Sequence, residues 1–468
     1  SHYIPNINIR TPKTSIIGVE EFELFLSRNN LAERVMLEKD YDKVKQMFLE
    51  GNLSKTLIKK LKIILKKITK PLAVRSSGLF EDSMMQPFAG IFETYYIPNN
   101  HPDQNVRLQQ LMDAIKLVYA SVYSDVARQY VEAVNYKIEQ ERMAIVIQEL
   151  VGNKFGTVFY PHISGVAQSY NYYPVAHMKP EEGFGIIALG LGKYVVEGEK
   201  CYRFSPSYPD TEISSQKDQF KNSQTEFFAL DLKNRDINLL EGDTAGLMRL
   251  GIDEAERHGT LKHLASVYDS VSNRIVPGLR HPGARVVNFA NILKYNYIPL
   301  AKTIEVVLDV VEEALGTPVE IEFAVDLTKD SEYRSSFYLL QIKPLIGSSN
   351  DYEINRQEIN EEKTLLFTEK AMGNGSIDHI TDVIYVDVDR FDKARTPEMA
   401  EEINALNEKM VKEDRQYLLI GPGRWGTRDR YIGIPVNGPT SATQKLLLKP
   451  LWRAIRWTHL QARTSSIM

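Results

Sequence analysis

Two stretches of the sequence carry residue types at spacings that could do chemistry. In Val319-Glu320-Ile321-Glu322-Phe323-Ala324-Val325 the apolar residues 319, 321, 323 and 325 fall on one face of a strand, so Glu320 and Glu322 share the other. In Phe337-Tyr338-Leu339-Leu340-Gln341-Ile342-Lys343, Gln341 and Lys343 likewise share a face. If the two strands pair with those faces together, a carboxylate, an amide oxygen and a lysine converge. Carboxylate and amide oxygens are hard ligands suited to Mg2+, which takes few protein ligands and completes its shell with water and nucleotide phosphates. The lysine would offset phosphate charge that the metal leaves unbalanced. The same spacing also describes a half-exposed hairpin with polar residues on its wet side, and spacing alone leaves both readings open.

The second candidate is Ala73-Val74-Arg75-Ser76-Ser77-Gly78, followed by Glu81-Asp82 and Pro87-Phe88-Ala89-Gly90. An arginine just past two apolar strand residues sits where its guanidinium can fork onto phosphate oxygens. Ser76, Ser77 and Gly78 would let the backbone approach a polyanion closely. An arginine on a strand is also an ordinary salt-bridge partner, so this segment too admits two readings.

Elements must hold these residues in place. Residues 1–20 read as irregular and then extended, with a helix expected over 20–29. Over 54–70, Leu57, Ile58, Leu61, Ile64, Leu65 and Ile68 recur at helical spacing while lysines fill the opposite, solvated face. Pro71 ends that helix, because it lacks an N–H and disfavours helix in the residue before it. A strand is expected over 72–77, long helical periodicity over 108–141, and a buried strand over 143–148. A β-rich stretch then runs to about Ser205, carrying Gly183, Gly185, Gly190, Gly192 and Gly198. Residues 206–250 show no assignable periodicity. Helices are expected over 253–275 and 298–315, ahead of the strands at 319–326 and 337–343 and their polar loop. The polar stretch 347–362 reads as a linker, with a smaller α/β unit over 363–436.

Bulk properties narrow the function classes. A chain of 468 residues is too long for one ordinary domain, and 43% hydrophobic with 25% charged residues is a soluble, globular composition. A net charge of −4 argues against a nucleic-acid binder, which needs a basic face. The single cysteine, Cys201, allows neither an internal disulfide nor a thiolate metal cluster and fits a cytoplasmic location. No signal-peptide pattern opens the sequence, and no apolar run approaches the roughly 20 residues that span a bilayer, so no membrane association is expected.

Val74-Arg75-Ser76-Ser77, Glu81-Asp82, Phe88-Ala89-Gly90 and Glu93-Thr94-Tyr95 together resemble the signature of the nucleotide-binding domain of phosphoenolpyruvate synthases and pyruvate phosphate dikinases. Glu320-Ile321-Glu322-Phe323 and Leu340-Gln341-Ile342-Lys343-Pro344 resemble that family's closing pair of motifs. Met143 to Gln148, and Gly190-Leu191-Gly192 with Val195-Val196-Glu197-Gly198, fit its intervening blocks in the family's order. The resemblance implies an α+β, ATP-grasp-like fold of two subdomains, placed here at 1–140 and 141–346. A linker over 347–362 and an accessory α/β unit over 363–468 would follow. It implies ATP and Mg2+ as ligands. Arg75 and Ser76 would meet the phosphates, Glu322 and Gln341 would hold the metal, and Lys343 would assist Arg75 at the triphosphate. Glu320 would add a second carboxylate nearby. The segment Gln148-Glu149-Leu150-Val151 is the candidate adenine strand, with Gln148, Glu149 and Val151 at the nucleotide.

The sequence departs from the family at several points. The family's opening Gly-Gly-Lys element does not precede Thr11-Pro12-Lys13, which reads as a start beyond it. Lys343 stands where arginine is usual, exchanging a bidentate fork for a point charge. Val126 and Lys193 replace a usual arginine and a common acidic residue. The family's phosphocarrier histidine motif does not follow residue 346, none of the nine histidines has such a context, and the remaining length is short of a barrel of roughly 250 residues. The partners implied are therefore a phosphohistidine carrier domain and a pyruvate domain outside this chain.

Near the C-terminus, Gly421-Pro422-Gly423-Arg424 reads as a glycine-rich turn, either structural or anion-binding. The stretch from Ser441 is basic, with Lys445, Lys449, Arg453, Arg456 and Arg463 and no acidic residue, and reads either as an amphipathic docking helix or as an altered tail. Two functions compete: ATP-dependent transfer to an external histidine, and nucleotide sensing without catalysis within a larger regulatory protein.

Overall fold

The computed structural model describes residues 4–78, 91–133, 137–171, 178–212 and 215–345. Beyond them it describes 380, 382–387, 390–392, 395–413, 415–421, 424–425, 433–434 and 444–448. Glu81-Asp82, Phe88-Ala89-Gly90, the linker at 347–362 and the tail after 448 lie outside the described residues. The chain forms two compact units, 1–346 and 347–468, and its architecture is α+β. Among the described residues no helix is long and apolar enough to cross a membrane.

In the first unit, helices build one side. Ser54 caps the helix Lys55–Lys67 by accepting the Leu57 N–H at 3.0 Å, and Leu57, Leu61 and Leu65 form its buried stripe. The helix stops at Ile68, ahead of Pro71. With the helices Val19–Arg28 and Gln104–Ser121 it closes a core against a four-stranded sheet. The strand order in that sheet is Thr14–Ile17, Met143–Glu149, Leu72–Gly78, Tyr95–Ile97.

A second, six-stranded sheet runs Ile7–Arg10, Ser335–Pro344, Val319–Asp326, Ile163–Gln168, Phe184–Ala188, Tyr202–Phe204. The helix Leu300–Leu315 buries Ile304, Val307, Leu308 and Val311 in the core of this half. Sheet membership does not follow a division at residue 140. Met143–Glu149 pairs with both Thr14–Ile17 and Leu72–Gly78 in the first sheet, while Ile7–Arg10 pairs in parallel with the start of Ser335–Pro344 in the second. Hydrogen-bonded ladders join residues far apart in sequence, so the two halves interlace.

The helix expected over 253–275 is largely absent. A helix covers only Ile252–Arg257, and Ala265–Asp269 with Arg274–Pro277 makes an antiparallel hairpin instead. The turn decides it: the Asp269 carboxylate accepts from the Val271 N–H at 2.9 Å and the Ser272 hydroxyl at 2.6 Å, and Asn273 takes φ 54°. The stretch 206–250 contains the helix Gln216–Lys221 and the strands Glu226–Asp231 and Leu247–Gly251.

In the second unit a parallel sheet runs Asp382–Tyr385, Tyr417–Ile420, Gln444–Leu448, and the helix Thr396–Lys412 joins its first two strands. Ala400, Ile403, Met410, Tyr417 and Leu419 are its buried centre. Gln444–Leu448 is thus a strand inside the stretch read as a basic tail; Leu446, Leu447 and Leu448 stand in register with Leu418, Leu419 and Ile420. Arg424–Trp425 pairs with Gly433–Ile434.

Candidate active site

The pairing register brings the polar faces of the hairpin together. Glu320 stands opposite Lys343 and Glu322 opposite Gln341, and the ladder shifts between Glu322 and Phe323. Such an irregularity re-aims side chains locally. From the other sheet, Arg75 on Leu72–Gly78 reaches across to this edge. Its Nη2 donates to Glu322 Oε2 at 2.5 Å and to Gln341 Oε1 at 2.5 Å. The Arg75 and Glu322 side chains are 20% and 17% exposed, so their ion pair is only partly screened.

Electrostatics separates the two glutamates. Burial pushes the Glu322 carboxyl up, but the charges of Arg75 and Lys343 and the Arg75 hydrogen bond outweigh it and hold Glu322 below its ordinary value. Burial also raises Glu320, and there it prevails over the Gln168 hydrogen bond and Lys343. Gln168 Nε2 donates to Glu320 Oε2 at 2.5 Å. Glu320 thus hydrogen-bonds to the neighbouring strand while staying within electrostatic reach of Glu322 and Lys343, and it is not among the residues lining the main cavity.

Arg75, Glu322 and Lys343 line a cavity of about 470 Å3 between the two sheets, within the size range of small-molecule sites. Leu150, Val151, Val166, Leu191 and Phe323 supply apolar wall. Gln148 and Glu149 also line it, but their side chains are engaged elsewhere. The buried Gln148 amide donates to the Leu340 carbonyl at 3.2 Å and the Thr14 hydroxyl at 3.3 Å, tying the sheets together. The Glu149 carboxylate lies 3.3 Å from the Lys70 ammonium and 3.7 Å from that of Lys13. Ser76 does not line this cavity: strand alternation turns it away from Arg75. It borders a neighbouring cavity of about 390 Å3 together with Thr11, Thr14, Gln341 and Arg75, which borders both; Gln341 is not among the residues lining the larger one.

Three charged lining residues, Lys193, Glu197 and Asp243, were not foreseen as site residues. Lys193 Nζ donates to Asp243 Oδ2 at 2.5 Å and lies 3.2 Å from Glu197 Oε1, with its side chain 12% exposed. Burial alone would lower the Lys193 ammonium, but these two carboxylates raise it. Its signal in the sequence was its place directly after Gly190-Leu191-Gly192, where Gly190 takes φ 90° and its carbonyl accepts the Ser164 hydroxyl at 2.7 Å. Asp243 sits in the stretch without periodicity and gave no signal. Val126, in contrast, is 60% exposed and is not among the residues lining the cavity.

Two interlaced sheets enclosing a cavity with cations and carboxylates on its walls define an α+β protein with a polar, charged pocket. The chain belongs to the family of pyruvate phosphate dikinase AMP/ATP-binding domains, whose family model matches residues 2–364. It is similar to "Uncharacterized phosphotransferase YvkC" of Bacillus subtilis, at 25% identity over 358 residues, 75% of this chain and 34% of that protein. It is similar to the phosphoenolpyruvate synthase of Aeropyrum pernix, at 32% identity over 145 residues, 30% of this chain and 15% of that protein. The phosphoenolpyruvate synthase of Deinococcus radiodurans matches at 26% over 192 residues, 40% of this chain and 21% of that protein. The chain thus spans about a third or less of the length of these relatives.

Proposed function

We propose that this chain is the ATP-binding, ATP-grasp-like module of a phosphotransferase of the phosphoenolpyruvate synthase and pyruvate phosphate dikinase type. It would hold MgATP in the cavity between its two sheets and present the phosphates to a histidine on a carrier domain outside this chain. The observation that carries this reading is the convergence of Glu322 Oε2 and Gln341 Oε1 on one cation, Arg75 Nη2, from two different strands. The family's AMP/ATP-binding character and the names of the relatives support it.

The donor set fits Mg2+. A carboxylate and an amide oxygen already aim at one point, and both are hard ligands of the kind Mg2+ accepts alongside phosphates. When bound there, the metal would neutralise phosphate charge. Arg75 would then fork onto phosphate oxygens, and Lys343 would add a point charge beside it. Glu322, held below its ordinary value, stays ionised across the neutral range. Gln148 keeps the sheets at fixed spacing, while Leu150 and Val151 offer an apolar wall to the base. The protein's contribution is positioning and fixed charge. Nucleotide sensing without catalysis within a larger regulatory protein is the alternative, favoured by the exchange of usual cationic residues at Val126 and Lys343.

Calorimetric titration of MgATP into the parent, Arg75→Ala and Glu322→Ala chains tests the reading. The parent is expected to bind, and each substitution to weaken binding by about tenfold or more, since each removes a charge-assisted contact. Binding left unchanged by both substitutions, or no binding by the parent at millimolar ATP, would overturn it.

A further inference from the structure

Arg75 is more than a phosphate contact in waiting. One of its nitrogens stands 2.5 Å from each of the two oxygens that suit a divalent cation. Mg2+ ligated by those same oxygens would sit about 2.0–2.1 Å from each. Guanidinium nitrogen and metal cannot share that point, and two positive charges at such a separation repel strongly. Moving Arg75 aside would also give up its partly buried ion pair with Glu322, a cost that a new acceptor offsets. A polyphosphate is such an acceptor, with oxygens matched to the guanidinium fork.

We infer that Arg75 acts as a plug in the metal position: seated on Glu322 and Gln341, it keeps a divalent cation out until a polyphosphate draws it away. Metal and nucleotide then enter together, and metal alone is excluded. The inference rests on the nucleotide reading of the site and deepens it by giving the order of binding. Lys343 provides the internal contrast. It acts electrostatically on Glu322 and lines the same cavity, but makes no hydrogen bond to Glu322 or Gln341. Removing its charge changes the field without vacating the position between the two oxygens.

The test is a titration of the whole chain with Mn2+ alone, free metal being read by electron paramagnetic resonance, for the parent, Arg75→Met, Arg75→Gln and Lys343→Met. Circular dichroism confirms that each variant is folded. Arg75→Met and Arg75→Gln are expected to bind Mn2+ at least about tenfold more tightly than the parent. Lys343→Met is expected to gain clearly less, and Glu322→Gln placed on Arg75→Met to lose the gain. With ATP present, the parent's metal affinity should rise and the advantage of Arg75→Met should shrink. Arg75 variants no tighter than the parent, or a Lys343→Met gain equal to theirs, would overturn the plug. If Glu322→Gln still weakens nucleotide-dependent metal binding in that event, the nucleotide reading stands and only the plug falls. If Glu322→Gln leaves nucleotide-dependent binding intact, the nucleotide reading itself fails.

Discussion

Glu320 and Glu322 lie two residues apart on one strand, yet their surroundings drive their carboxyls in opposite directions. Glu322 has Arg75 directly on it; Glu320 has burial, reinforced by the charge of Glu322, opposed by the Gln168 hydrogen bond and the charge of Lys343. The signs for stability follow by linkage. A lowered folded-state value means that Glu322 contributes stability above the ordinary carboxylate range and loses it as the pH falls through its own value. A raised value makes Glu320 the opposite: as pH rises above the ordinary range the unfolded chain ionises first, and the folded state loses ground. Glu320→Gln should therefore be at least as stable as the parent at pH 7, since an amide oxygen can still accept from Gln168. Urea midpoints should show that difference closing as the pH is lowered below the ordinary carboxylate range. A variant less stable at pH 7 than at pH 4, relative to the parent, would contradict the burial account of Glu320.

The elements that place the site were partly legible. Alternation in 319–323, and Gln341 and Lys343 two apart in 337–343, suggested two strands and the faces that could meet, because a strand places every second residue on one face. The same alternation puts Ser76 on the face opposite Arg75, so its absence from the cavity was readable from the strand itself. The hairpin at 265–277 was not, since an Asp-anchored turn with Asn273 at φ 54° outweighs a short helical pattern. Lys193 and Asp243 are separated by 50 residues and joined only by folding. Where two strands approach across the second sheet, packing leaves no slack. A Cβ on Gly165 would stand 2.5 Å from Phe323 Cζ and 2.6 Å from the Ile186 carbonyl oxygen. Gly165→Ala should lower stability by roughly 1–3 kcal/mol through overpacking, read as a shift in denaturant midpoint. An unchanged midpoint would mean that the strands separate more readily than their register implies.

At the scale of the whole chain, the two units stand apart in kind. The first is the family domain, with Arg75, Leu191, Gly192, Glu322 and Lys343 from its described motifs on one cavity; the second is a small parallel α/β sheet with its own core. Motif order across 319–343 and around Arg75 made the family legible, whereas the interlacing of the two sheets was not, because long-range pairing leaves no local trace. The central claim is that nucleotide lies between those sheets, its base against Leu150 and Val151 and its phosphates at Arg75. Photolabelling with 8-azido-ATP and Mg2+, followed by peptide mapping, tests that placement most directly. Label on peptides covering 148–166 or 191–197, suppressed by unlabelled ATP, is the expected result. Label confined to other segments, or label that ATP does not suppress, would contradict the account.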